Sequence, residues 1–245
     1  VLKKTVKILK DAELVGLPTE TVYGLAGNAY SKHALKKIFL LKKRPKKNPL
    51  ILHYYNFNRA SNDVVLNKDF YKLYKKFCPG PLTFVLKKRR GSKINSYATA
   101  NLDTVAVRFP SHKVVRSILR SLDFPLAIPS ANISSRLSPV NAEDVYNEFK
   151  NKLSIIVDGG RSKIGIESTV IDLSKTPNLL RPGIIGISDI KKIIKKVSAS
   201  SKKLKLKAPG MMKKHYSPGI PVIIGKKPKN FDDAFLVFGK KYGNK

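Results

Sequence analysis

Apolar residues recur along this chain at two spacings, which predict an alternation of helices and strands. Leu2, Thr5, Val6 and Leu9 recur at helical spacing with lysines between them, which predicts an amphipathic first helix. Further helices are predicted over 34–41, 70–77, 114–122 and 187–197, and from Asn141 onward. Ser31 is the predicted N-cap of the helix at 34–41, and Ser111 that of the helix at 114–122. Short apolar runs bounded by Pro or Gly predict strands at 14–17, 49–53, 83–86, 104–109, 126–128, 155–157, 168–173 and 179–180.

The order of these elements predicts the fold class and the domain boundaries. Strands and helices alternate, yet closely spaced strands also occur in succession, so we expect an α/β fold with a mixed sheet and flanking helices. Residues 1–197 form the predicted main domain, and the Ser/Lys-rich composition that follows predicts a linker over 198–219. Residues 220–245 hold two short strand patterns and are too few for a stable core of their own. They either pack onto the first domain or are a shortened second domain.

The polar stretch from Pro18 to Ala26 is the one around which the other motifs are organised. It directly follows the apolar run 14–17, where a proline is expected to close a strand, and Gly24 is expected to permit a backbone turn. Short polar side chains at a strand end are held by a rigid sheet and are well placed to contact a ligand. An ordinary strand-to-helix turn is the alternative interpretation.

Composition limits the class of protein. A chain of 245 residues with 42% hydrophobic residues can bury a real core, and no apolar stretch approaches the roughly 20 residues needed to span a bilayer. The single Cys78 and the absence of a signal-peptide pattern favour a reducing, cytoplasmic setting. Cys78 has no Cys or His at metal-ligand spacing, which argues against a zinc site and favours a packing role.

The net charge of +33 predicts attraction to polyanions such as RNA or nucleotides. Compositional drift toward lysine is the alternative, because lysines occur on nearly every predicted exposed face. Ten of the 49 basic residues are Arg, the type suited to bidentate recognition of phosphate or carboxylate. Individual arginines in defined contexts are therefore more informative than the bulk charge.

Six polar clusters share one layout, in which each cluster follows an apolar strand and is punctuated by Pro or Gly. They are 19–23, 42–48, 104–108, 130–132, 168–169 and 181–183. We expect them to form one cleft assembled from strand ends. Lys42, Arg44, Arg108 and Arg181 are suited to neutralising phosphates or a carboxylate, whereas Thr21, Ser130, Asn132 and Ser168 are suited to orienting small polar groups.

The chain has no phosphate loop with a Gly-rich Lys-Ser/Thr signature, no GxGxxG and no Cys/His pair suited to nucleophilic catalysis. Chemistry in the cleft is therefore expected to depend on positioning and charge stabilisation rather than on a covalent intermediate.

Several of these residues also have a structural interpretation. Lys42 would lie at a helix C-terminus, where cations interact favourably with the helix dipole. His53 ends a strand and is suited to a structural role, and Asn132 is suited to building a turn. Arg161 is expected to be a solvated loop residue, and Glu20 is a candidate base without a second carboxylate at a suitable spacing.

With these residues laid out, the sequence resembles the YrdC-like family of threonylcarbamoyladenylate synthases. The matching motifs are Pro18-Thr-Glu-Thr-Val-Tyr-Gly-Leu25, Lys42-x-Arg44-Pro45 through Asn48-Pro49-Leu50, Pro79-Gly-Pro-Leu-Thr83, Val105-Ala-Val-Arg108, Pro129-Ser-Ala-Asn132, Asp158-Gly-Gly160, Glu167-Ser-Thr-Val-Ile171 and Leu180-Arg-Pro-Gly183. They cover roughly residues 1 to 197 in the family's order.

The resemblance implies an open, twisted α/β sheet with a large, positively charged concave cleft. It implies condensation of L-threonine, bicarbonate and ATP into threonylcarbamoyladenylate and pyrophosphate, with Mg²⁺ bridging the phosphates. A transferase complex would then pass the threonylcarbamoyl group to the adenosine beside the anticodon of tRNA. By the same resemblance the protein is a cytoplasmic nucleotidyltransferase of tRNA processing without a resident metal site.

The resemblance also assigns roles to individual positions. Those that would contact L-threonine are Thr21, His53, Arg108, Ser130 and Ser168, with Arg108 holding the carboxylate. Those that would hold ATP are Arg44, Asn48, Thr104, Asn132, Val140, Arg181 and Tyr216. Lys42 and Arg44 would be catalytic through charge neutralisation.

The segment 209–218 resembles the linker of the two-domain branch of this family, which crosses the cleft and closes a tyrosine over the nucleotide. Tyr216 matches that tyrosine, whereas Met212-Lys213 stands where the branch has a Lys-Tyr pair. The C-terminal domain of that branch is also much longer than residues 220–245.

Two other functions compete with the synthase. A binding module with the same fold and a basic cleft could hold tRNA or double-stranded RNA without chemistry, which the charge of +33 favours. The related carbamoyl-transfer module of hydrogenase maturation carries zinc-finger and acylphosphatase regions that this sequence lacks. The threonine-sized set of Thr21, Arg108, Ser130 and Ser168 favours the synthase.

Overall fold

The computed structural model describes residues 1–199 of the chain. Their helices are α1 (Leu2–Lys10), α2 (Lys32–Leu41), α3 (Phe57–Ala60), α4 (Lys68–Phe77), α5 (Ser96–Thr99), α6 (Lys113–Arg120), α7 (Ala142–Phe149) and α8 (Ile187–Ile193), with a 3₁₀ turn at Lys150–Lys152. Their strands are β1 (Val15–Leu17), β2 (Gly24–Asn28), β3 (Ile51–His53), β4 (Leu82–Lys87), β5 (Thr104–Arg108), β6 (Leu126–Ala127), β7 (Thr169–Asp172), β8 (Asn178–Arg181) and β9 (Ser198–Ala199).

Within residues 1–199 the nine strands form one sheet in the order β1-β2-β6-β3-β5-β4-β7-β8-β9. The pairs β3–β5, β4–β7 and β8–β9 are parallel, and the other five pairs are antiparallel. The predicted α/β fold with a mixed sheet is therefore confirmed. The sheet is open, because β1 and β9 at its two edges do not pair with each other.

Helices cover one face of the sheet throughout and the other face only at one end. Buried residues of α2, α4, α7 and α8 pack with the inward side chains of β3, β4, β5 and β7 in the main core. On the opposite face, α1 and α6 cover β1, β2 and β6 through a second cluster that includes Leu9, Val115 and Leu126. Beyond β6 that face carries a small separate cluster, Ile51, Val85, Ala106 and Val170.

Helix capping follows the sequence at two of the three predicted positions. The Ser31 hydroxyl accepts from the Ala34 N–H at 3.3 Å, and the Asn141 side chain accepts from the Asp144 N–H at 2.7 Å. The predicted cap at Ser111 is wrong by one residue, because Nδ1 of His112 accepts from the Val114 N–H at 3.3 Å. The Ser111 N–H donates instead to the Glu20 carboxylate.

The expectation that Gly24 makes a turn is wrong. Gly24 is the first residue of β2 and pairs with Leu17, so the motif joins two antiparallel strands rather than a strand and a helix. A Cβ atom at Gly24 would lie 2.1 Å from Cγ2 of Ile128, which no side chain tolerates. The glycine is therefore needed for close packing of β2 against the residues after β6.

Three further boundaries differ from the sequence prediction. The run 155–157 forms only an isolated bridge between Ile156 and Gly16, and the last helix ends at Ile193 rather than at 197. Ser198–Ala199, the first two residues of the predicted linker, pair with β8 as a parallel strand. The rest of that linker, the C-terminal segment 220–245 and Tyr216 lie outside the described residues.

Cys78 lies at the end of α4 and packs against the main core, as predicted. Burial raises the pKa of its thiol to about 12, so the thiol is protonated at neutral pH. Among residues 1–199 no helix is long and apolar enough to cross a membrane.

Candidate active site

The strand register aligns one row of residues across six strands. Beyond β6 this row lies on the sheet face that α1 and α6 do not cover. Directly paired positions run Leu126, His53, Arg108, Thr83, Val170 and Arg181, on β6, β3, β5, β4, β7 and β8. Paired residues project from the same face, and neighbouring strands lie about 4.8 Å apart. The row from His53 to Arg181 therefore spans on the order of 20 Å, the scale of an amino acid beside a nucleotide.

The prediction that every cluster follows a strand is wrong for three of the six. Thr21 and Ser130 follow β1 and β6, and Arg181 ends β8. Lys42 instead follows α2, and Thr104 and Ser168 lie at the start of β5 and β7. Short strands explain the difference, because a three-residue strand such as β3 brings residues at both of its ends to one surface. The small cluster Ile51, Val85, Ala106 and Val170 supplies the apolar floor between them.

Glu20 and Arg108 form a buried ion pair at the amino-acid end of the row. Nη2 of Arg108 donates to Oε1 of Glu20 at 2.7 Å, and the two side chains are 5% and 9% exposed. Burial alone would raise the pKa of Glu20, but the charge and hydrogen bond of Arg108 lower the pKa below its usual value. The buried Nε–H of Arg108 has no hydrogen-bond partner within the described chain.

The loop that carries Glu20 is fixed on both sides. The Thr19 hydroxyl donates to the Val22 carbonyl at 2.6 Å and lies 2.9 Å from the Thr21 hydroxyl. The segment 162–165 lies along the same loop and is hydrogen-bonded to it. The Ser162 hydroxyl and the N–H groups of Ile164 and Gly165 donate to the carbonyls of residues 19, 20 and 21, respectively. Thr21 is thereby held buried with its hydroxyl beside that of Thr19.

Tyr23 is a structural brace, as its position at the base of the motif suggests. Its ring is fully buried, and its hydroxyl donates to the Gly160 carbonyl at 2.8 Å and accepts from the Gly159 N–H at 3.1 Å. The Asp158-Gly159-Gly160 motif is therefore tied to the opening motif through one phenol.

His53 is neutral at physiological pH. Burial and the neighbouring Arg108 charge lower its pKa to about 3. Nδ1 lies 3.2 Å from the Ile51 carbonyl, and the ring also hydrogen-bonds to the Leu126 main chain. His53 pairs directly with Arg108 in the register.

The hydroxyl groups of Thr83 and Ser168 connect the strand next to Arg108 with Arg181 at the other end of the row. Thr83 lies opposite Arg108, and its hydroxyl is 2.8 Å from the hydroxyl of Ser168. Arg181 donates to Ser168 twice, from Nε to the carbonyl at 3.0 Å and from Nη2 to the hydroxyl at 3.1 Å. Ser168 is thus fixed between the two halves of the site.

Lys42 is buried and braces the loop that carries Ser130 and Asn132. Its ammonium group donates to the carbonyls of both residues, and its own carbonyl accepts from the Ser134 N–H at 2.9 Å. Burial first, and the Arg44 charge second, lower the pKa of Lys42 well below its usual value. Lys42 lies at the C-cap of α2, as predicted, but it is directed into the site rather than along the helix axis.

Asn132 uses the nitrogen of its side-chain amide within its own loop, whereas the amide oxygen is not engaged by the described part of the chain. Nδ2 donates to the carbonyls of Ile133 and Arg136 at 2.8 and 2.9 Å. The buried Oδ1 has no hydrogen-bond partner within residues 1–199. The turn-building role and the ligand-facing role predicted for Asn132 are therefore compatible.

The second half of the site concentrates positive charge. Burial, followed by the charge of Arg181, lowers the pKa of Arg44 to about 9, and burial lowers the pKa of Arg181 to about 10. Arg44 is held by donation from Nε to the Asn48 carbonyl at 3.0 Å and from Nη2 to the Pro49 carbonyl at 2.7 Å. The negative charge of Glu167 opposes these shifts, because it raises the pKa of Arg181 and that of Lys42.

Three further predicted ATP contacts, Asn48, Thr104 and Val140, lie in different parts of the fold. Thr104 and Asn48 are buried, and Thr104 begins β5 in the neighbouring part of the sheet. Val140 has both main-chain groups engaged, its N–H with Asp144 at 3.0 Å and its carbonyl with Ser162 at 2.7 Å. Arg161 is exposed, as expected for a solvated loop residue.

Sequence reasoning assigned no ligand-facing role to Thr83 or Glu167 and left Glu20 as a candidate base. Thr83 ends the Pro-Gly-Pro-Leu-Thr motif, and the alternation along β4 places it on the same face as Val85, which was the available signal. Glu20 is not a candidate base, because its carboxylate is committed to Arg108 and the Ser111 N–H and its pKa is lowered. The residue partners of Glu20 and Glu167 lie far apart in sequence and carry no local pattern.

Comparison with known proteins shows which family the chain belongs to, independently of the geometry of the site. The Sua5/YciO/YrdC family profile, described as "Telomere recombination", matches residues 7–183. A second profile, described as "Threonylcarbamoyl-AMP synthase, C-terminal domain", matches residues 185–244.

Individual relatives agree with both profiles. The chain is 42% identical over 232 residues to the threonylcarbamoyl-AMP synthase of Pyrococcus abyssi, covering 91% of this chain and 67% of that protein. It is 39% identical over 223 residues to the Bacillus subtilis protein of the same name, covering 89% and 64%. The crystal structure of P. abyssi Sua5 complexed with L-threonine superposes with a TM-score of 0.84 at 41% identity, covering 89% of this chain and 65% of that one.

The chain spans about two thirds of the length of these relatives. The first profile alone covers well over half of it, and its range contains every predicted site residue except Tyr216, which falls within the second. The chain therefore belongs to the Sua5/YciO/YrdC family.

Proposed function

We propose that this protein is a threonylcarbamoyl-AMP synthase, a nucleotidyltransferase that condenses L-threonine, bicarbonate and ATP into L-threonylcarbamoyl-AMP and pyrophosphate. The observation that carries the proposal is the division of charge along the row of facing residues. Its amino-acid end carries a neutralised pair and a neutral imidazole, and its other end carries clustered cations. The relatives that share the fold bear this enzyme name.

The amino-acid end suits a zwitterion of threonine size. Arg108 keeps a buried Nε–H that can donate to a ligand carboxylate oxygen, and the uncharged imidazole of His53 lies beside it. Ser130 and Ser168 flank this end from the loop after β6 and the start of β7. Thr21 supplies a further hydroxyl from the fixed loop.

The cationic end suits a triphosphate. Burial lowers the pKa values of Lys42, Arg44 and Arg181, and the charge of Arg44 on Lys42 and of Arg181 on Arg44 lowers them further, so bringing these cations together has an electrostatic cost. A bound polyphosphate would remove that cost, so the cations are arranged in advance for a ligand of opposite charge. Asn48, Thr104, Asn132, Val140 and Tyr216 are assigned to this end from the resemblance.

The reaction that fits this arrangement has two steps. The threonine amine attacks the bicarbonate carbon, and loss of water gives a carbamate. A carbamate oxygen then attacks the α-phosphorus of ATP, and the bond to the bridging oxygen of pyrophosphate breaks. Ser168 lies between the two ends, so the α-phosphate would react next to it, and the cations would offset the repulsion among carbamate, phosphate and departing pyrophosphate.

Magnesium enters this proposal as the counter-ion of ATP. Residues 1–199 contain no group of three His, Cys, Asp or Glu side chains arranged to hold a metal ion, and the cationic end would repel one. Mg²⁺ would therefore be bound by phosphate oxygens and bring charge neutralisation with its nucleotide.

The partners follow from the product. An acyl-adenylate of this kind is an activated donor, so a transferase complex acting on the anticodon region of tRNA would consume it in the cytoplasm. The charge of +33 also supports direct contact with tRNA or double-stranded RNA. RNA binding without chemistry is the competing function, and the buried Glu20–Arg108 pair disfavours it, since phosphodiester recognition needs no neutralised arginine.

Pyrophosphate release measured with ATP, L-threonine and bicarbonate tests the proposal. We expect release only when all three are present, and incorporation of labelled L-threonine into an adenylate of matching stoichiometry. Release that is independent of L-threonine, or absent with all three substrates, would exclude the synthase and favour the RNA-binding module.

A further inference from the structure

We propose that Glu20 is a specificity-determining positioning residue, which neutralises Arg108 so that the amino-acid end accepts a zwitterion and rejects phosphate-type anions. This inference rests on the proposed function and assigns a role to a residue that would not itself react. It addresses a problem that the reaction creates. One cleft must bind a polyanion at one end and keep the same polyanion away from an arginine a few strands along.

The contacts of Glu20 commit both carboxylate oxygens. Oε1 accepts from Nη2 of Arg108 at 2.7 Å, and Oε2 accepts from the Ser111 N–H at 3.1 Å. The first contact fixes the guanidinium, and the second fixes the carboxylate to the start of the segment before α6. Because the Glu20 carbonyl also accepts from the Ile164 N–H, the residue has little freedom to leave Arg108.

Geometry leaves Arg108 with one buried donor for a ligand. Its Nε–H is buried and has no partner within residues 1–199, although Nη2 is engaged. A buried donor without an acceptor is destabilising, and a ligand carboxylate would remove that cost. The donor is thus preserved for an acceptor while the charge of Arg108 is already compensated.

Charge separates the two ends of the row. Among residues 1–199 the Arg108 charge acts on Glu20, His53, Cys78 and Arg181. The first three, with His53 and Cys78 uncharged, leave the Arg108 charge balanced by Glu20. At the other end, Lys42, Arg44 and Arg181 have Glu167 and Glu148 as opposing charges, and Glu148 is already paired with Arg136. Phosphate groups are therefore favoured at the second end and gain nothing at the first, where a zwitterion brings no net charge into the buried site.

Glu20→Gln tests this directly, because it keeps the shape and removes the charge. Binding of L-threonine, inorganic phosphate and 2,3-dihydroxybutanoate, the anionic isostere of threonine that lacks the amine, would be measured by calorimetry on the full chain. In the wild type we expect phosphate not to compete with L-threonine. In Glu20→Gln we expect phosphate to become competitive with L-threonine, and the preference for L-threonine over the isostere to fall roughly tenfold or more.

Kinetics separate this role from a purely structural one. We expect Glu20→Gln to raise the KM for L-threonine roughly tenfold, with a smaller change in kcat and none in the KM for ATP. Glu20→Asp, which keeps the charge but shortens the reach, should raise the same KM while phosphate remains non-competitive. Glu13→Gln, which removes an exposed partner of Lys37, is the matched control and should change neither.

The possible results are distinct. If Glu20→Gln lowers stability and all kinetic constants alike, with no phosphate competition, Glu20 is structural and the inference is overturned. If that variant does not fold, the wild type still decides, since competition between phosphate and L-threonine there would contradict a neutralised end. If the wild type does not bind L-threonine at all, the proposed function fails first, and the role of Glu20 fails with it.

Discussion

The ammonium group of Lys42 donates to the main-chain carbonyl of Asn132, a residue 90 positions further along the chain. The same group donates to the Ser130 carbonyl, so a single side chain at the end of α2 holds the loop after β6. Both loop residues are predicted ligand contacts, one for L-threonine and the other for ATP. Lys42 therefore sets the position of groups at both ends of the site, in addition to the charge it contributes.

We expect Lys42→Met to weaken both ligands. Removing the donor leaves buried carbonyl groups unsatisfied, which should lower the free energy of unfolding by about 2 kcal/mol and Tm by about 5 °C. Calorimetric affinities for L-threonine and for ATP should both fall. Lys43→Met is the matched control, because Lys43 is exposed and adjacent, and unchanged ligand affinity is expected there. A Lys42→Met protein that lost only ATP binding would show that the brace is unimportant.

Arg108→Ala should abolish L-threonine binding while leaving nucleotide binding measurable. The substitution removes the buried Nε–H donor and leaves Glu20 as an unpaired buried charge, so a loss of stability of about 3 kcal/mol is also expected. Titration calorimetry with each ligand separately is the measurement. Arg108→Lys, which retains a charge for Glu20, should restore stability without restoring affinity for L-threonine. Equal loss of both ligands would refute the carboxylate role.

Arg44→Gln should reduce ATP affinity roughly tenfold or more, because one charged partner of the phosphates is lost. The stability of the ligand-free protein should change by less than about 1 kcal/mol, since relief of repulsion with Arg181 offsets the lost bonds to Asn48 and Pro49. Thermal shifts with and without ATP measure both quantities. Arg161→Gln in an exposed loop serves as the control. A large drop in the stability of ligand-free Arg44→Gln would mean that the arginine is mainly structural.

The pH dependence of stability should reveal the neutral His53. An unfolded histidine binds its proton near pH 6.5, whereas folded His53 has a pKa of about 3. Between these values the unfolded state holds more protons, so stability rises with pH, is fully present above about pH 6.5 and is lost toward pH 3. Glu20 acts in the same direction at lower pH, because its pKa is lowered in the folded state.

Urea denaturation of the wild type and His53→Gln between pH 4.5 and 7.5 isolates this contribution. The stability of the wild type relative to the variant should fall as pH decreases below about 6.5. Over the same range the KM for L-threonine in the wild type should show no inflection attributable to His53. A constant difference in stability across the range would mean that His53 titrates normally in the folded protein.

Tyr216 carries a prediction that rests on the resemblance alone. If it closes over the nucleotide, Tyr216→Ala should weaken ATP binding and leave L-threonine binding unchanged. Tyr216→Phe should retain most of the affinity, because stacking needs the ring and not the hydroxyl. Unchanged ATP affinity in Tyr216→Ala would mean that this segment does not cover the nucleotide.

Local pattern was sufficient for most elements but not for the contacts between them. The spacing of apolar residues predicted α1, α2, α4 and the mixed sheet, because helix and strand periods are properties of neighbouring residues. Strand β2, which begins within the motif at 18–26, was missed because Gly24 and Gly27 have low strand propensity. Only packing against Ile128 explains the glycine that begins it.

The same contrast between local sequence pattern and contacts between distant elements applies to the site. Residue types and resemblance selected Arg44, Arg108 and Arg181; in the structure the Arg181 charge acts on Arg44, and the Arg108 charge acts on Arg181. The pairing of Arg108 with Glu20 depends on two elements 88 residues apart, and nothing in the local sequence specifies it. The neutral state of His53 also follows from burial beside a charge, which is a tertiary property.

The residues of the row lie side by side only when their strands pair in the observed register, so ligand binding requires that register. His53, Arg108 and Thr83 come from three different strands, and a slip of one residue in any pair would turn one of them into the helix-covered core. Such a slip would bury a polar or charged side chain among apolar neighbours, which is costly, and it would also leave the slipped molecule unable to bind substrate. Substrate therefore binds only correctly aligned molecules, and a saturating substrate concentration would shift a mixed population toward them by mass action.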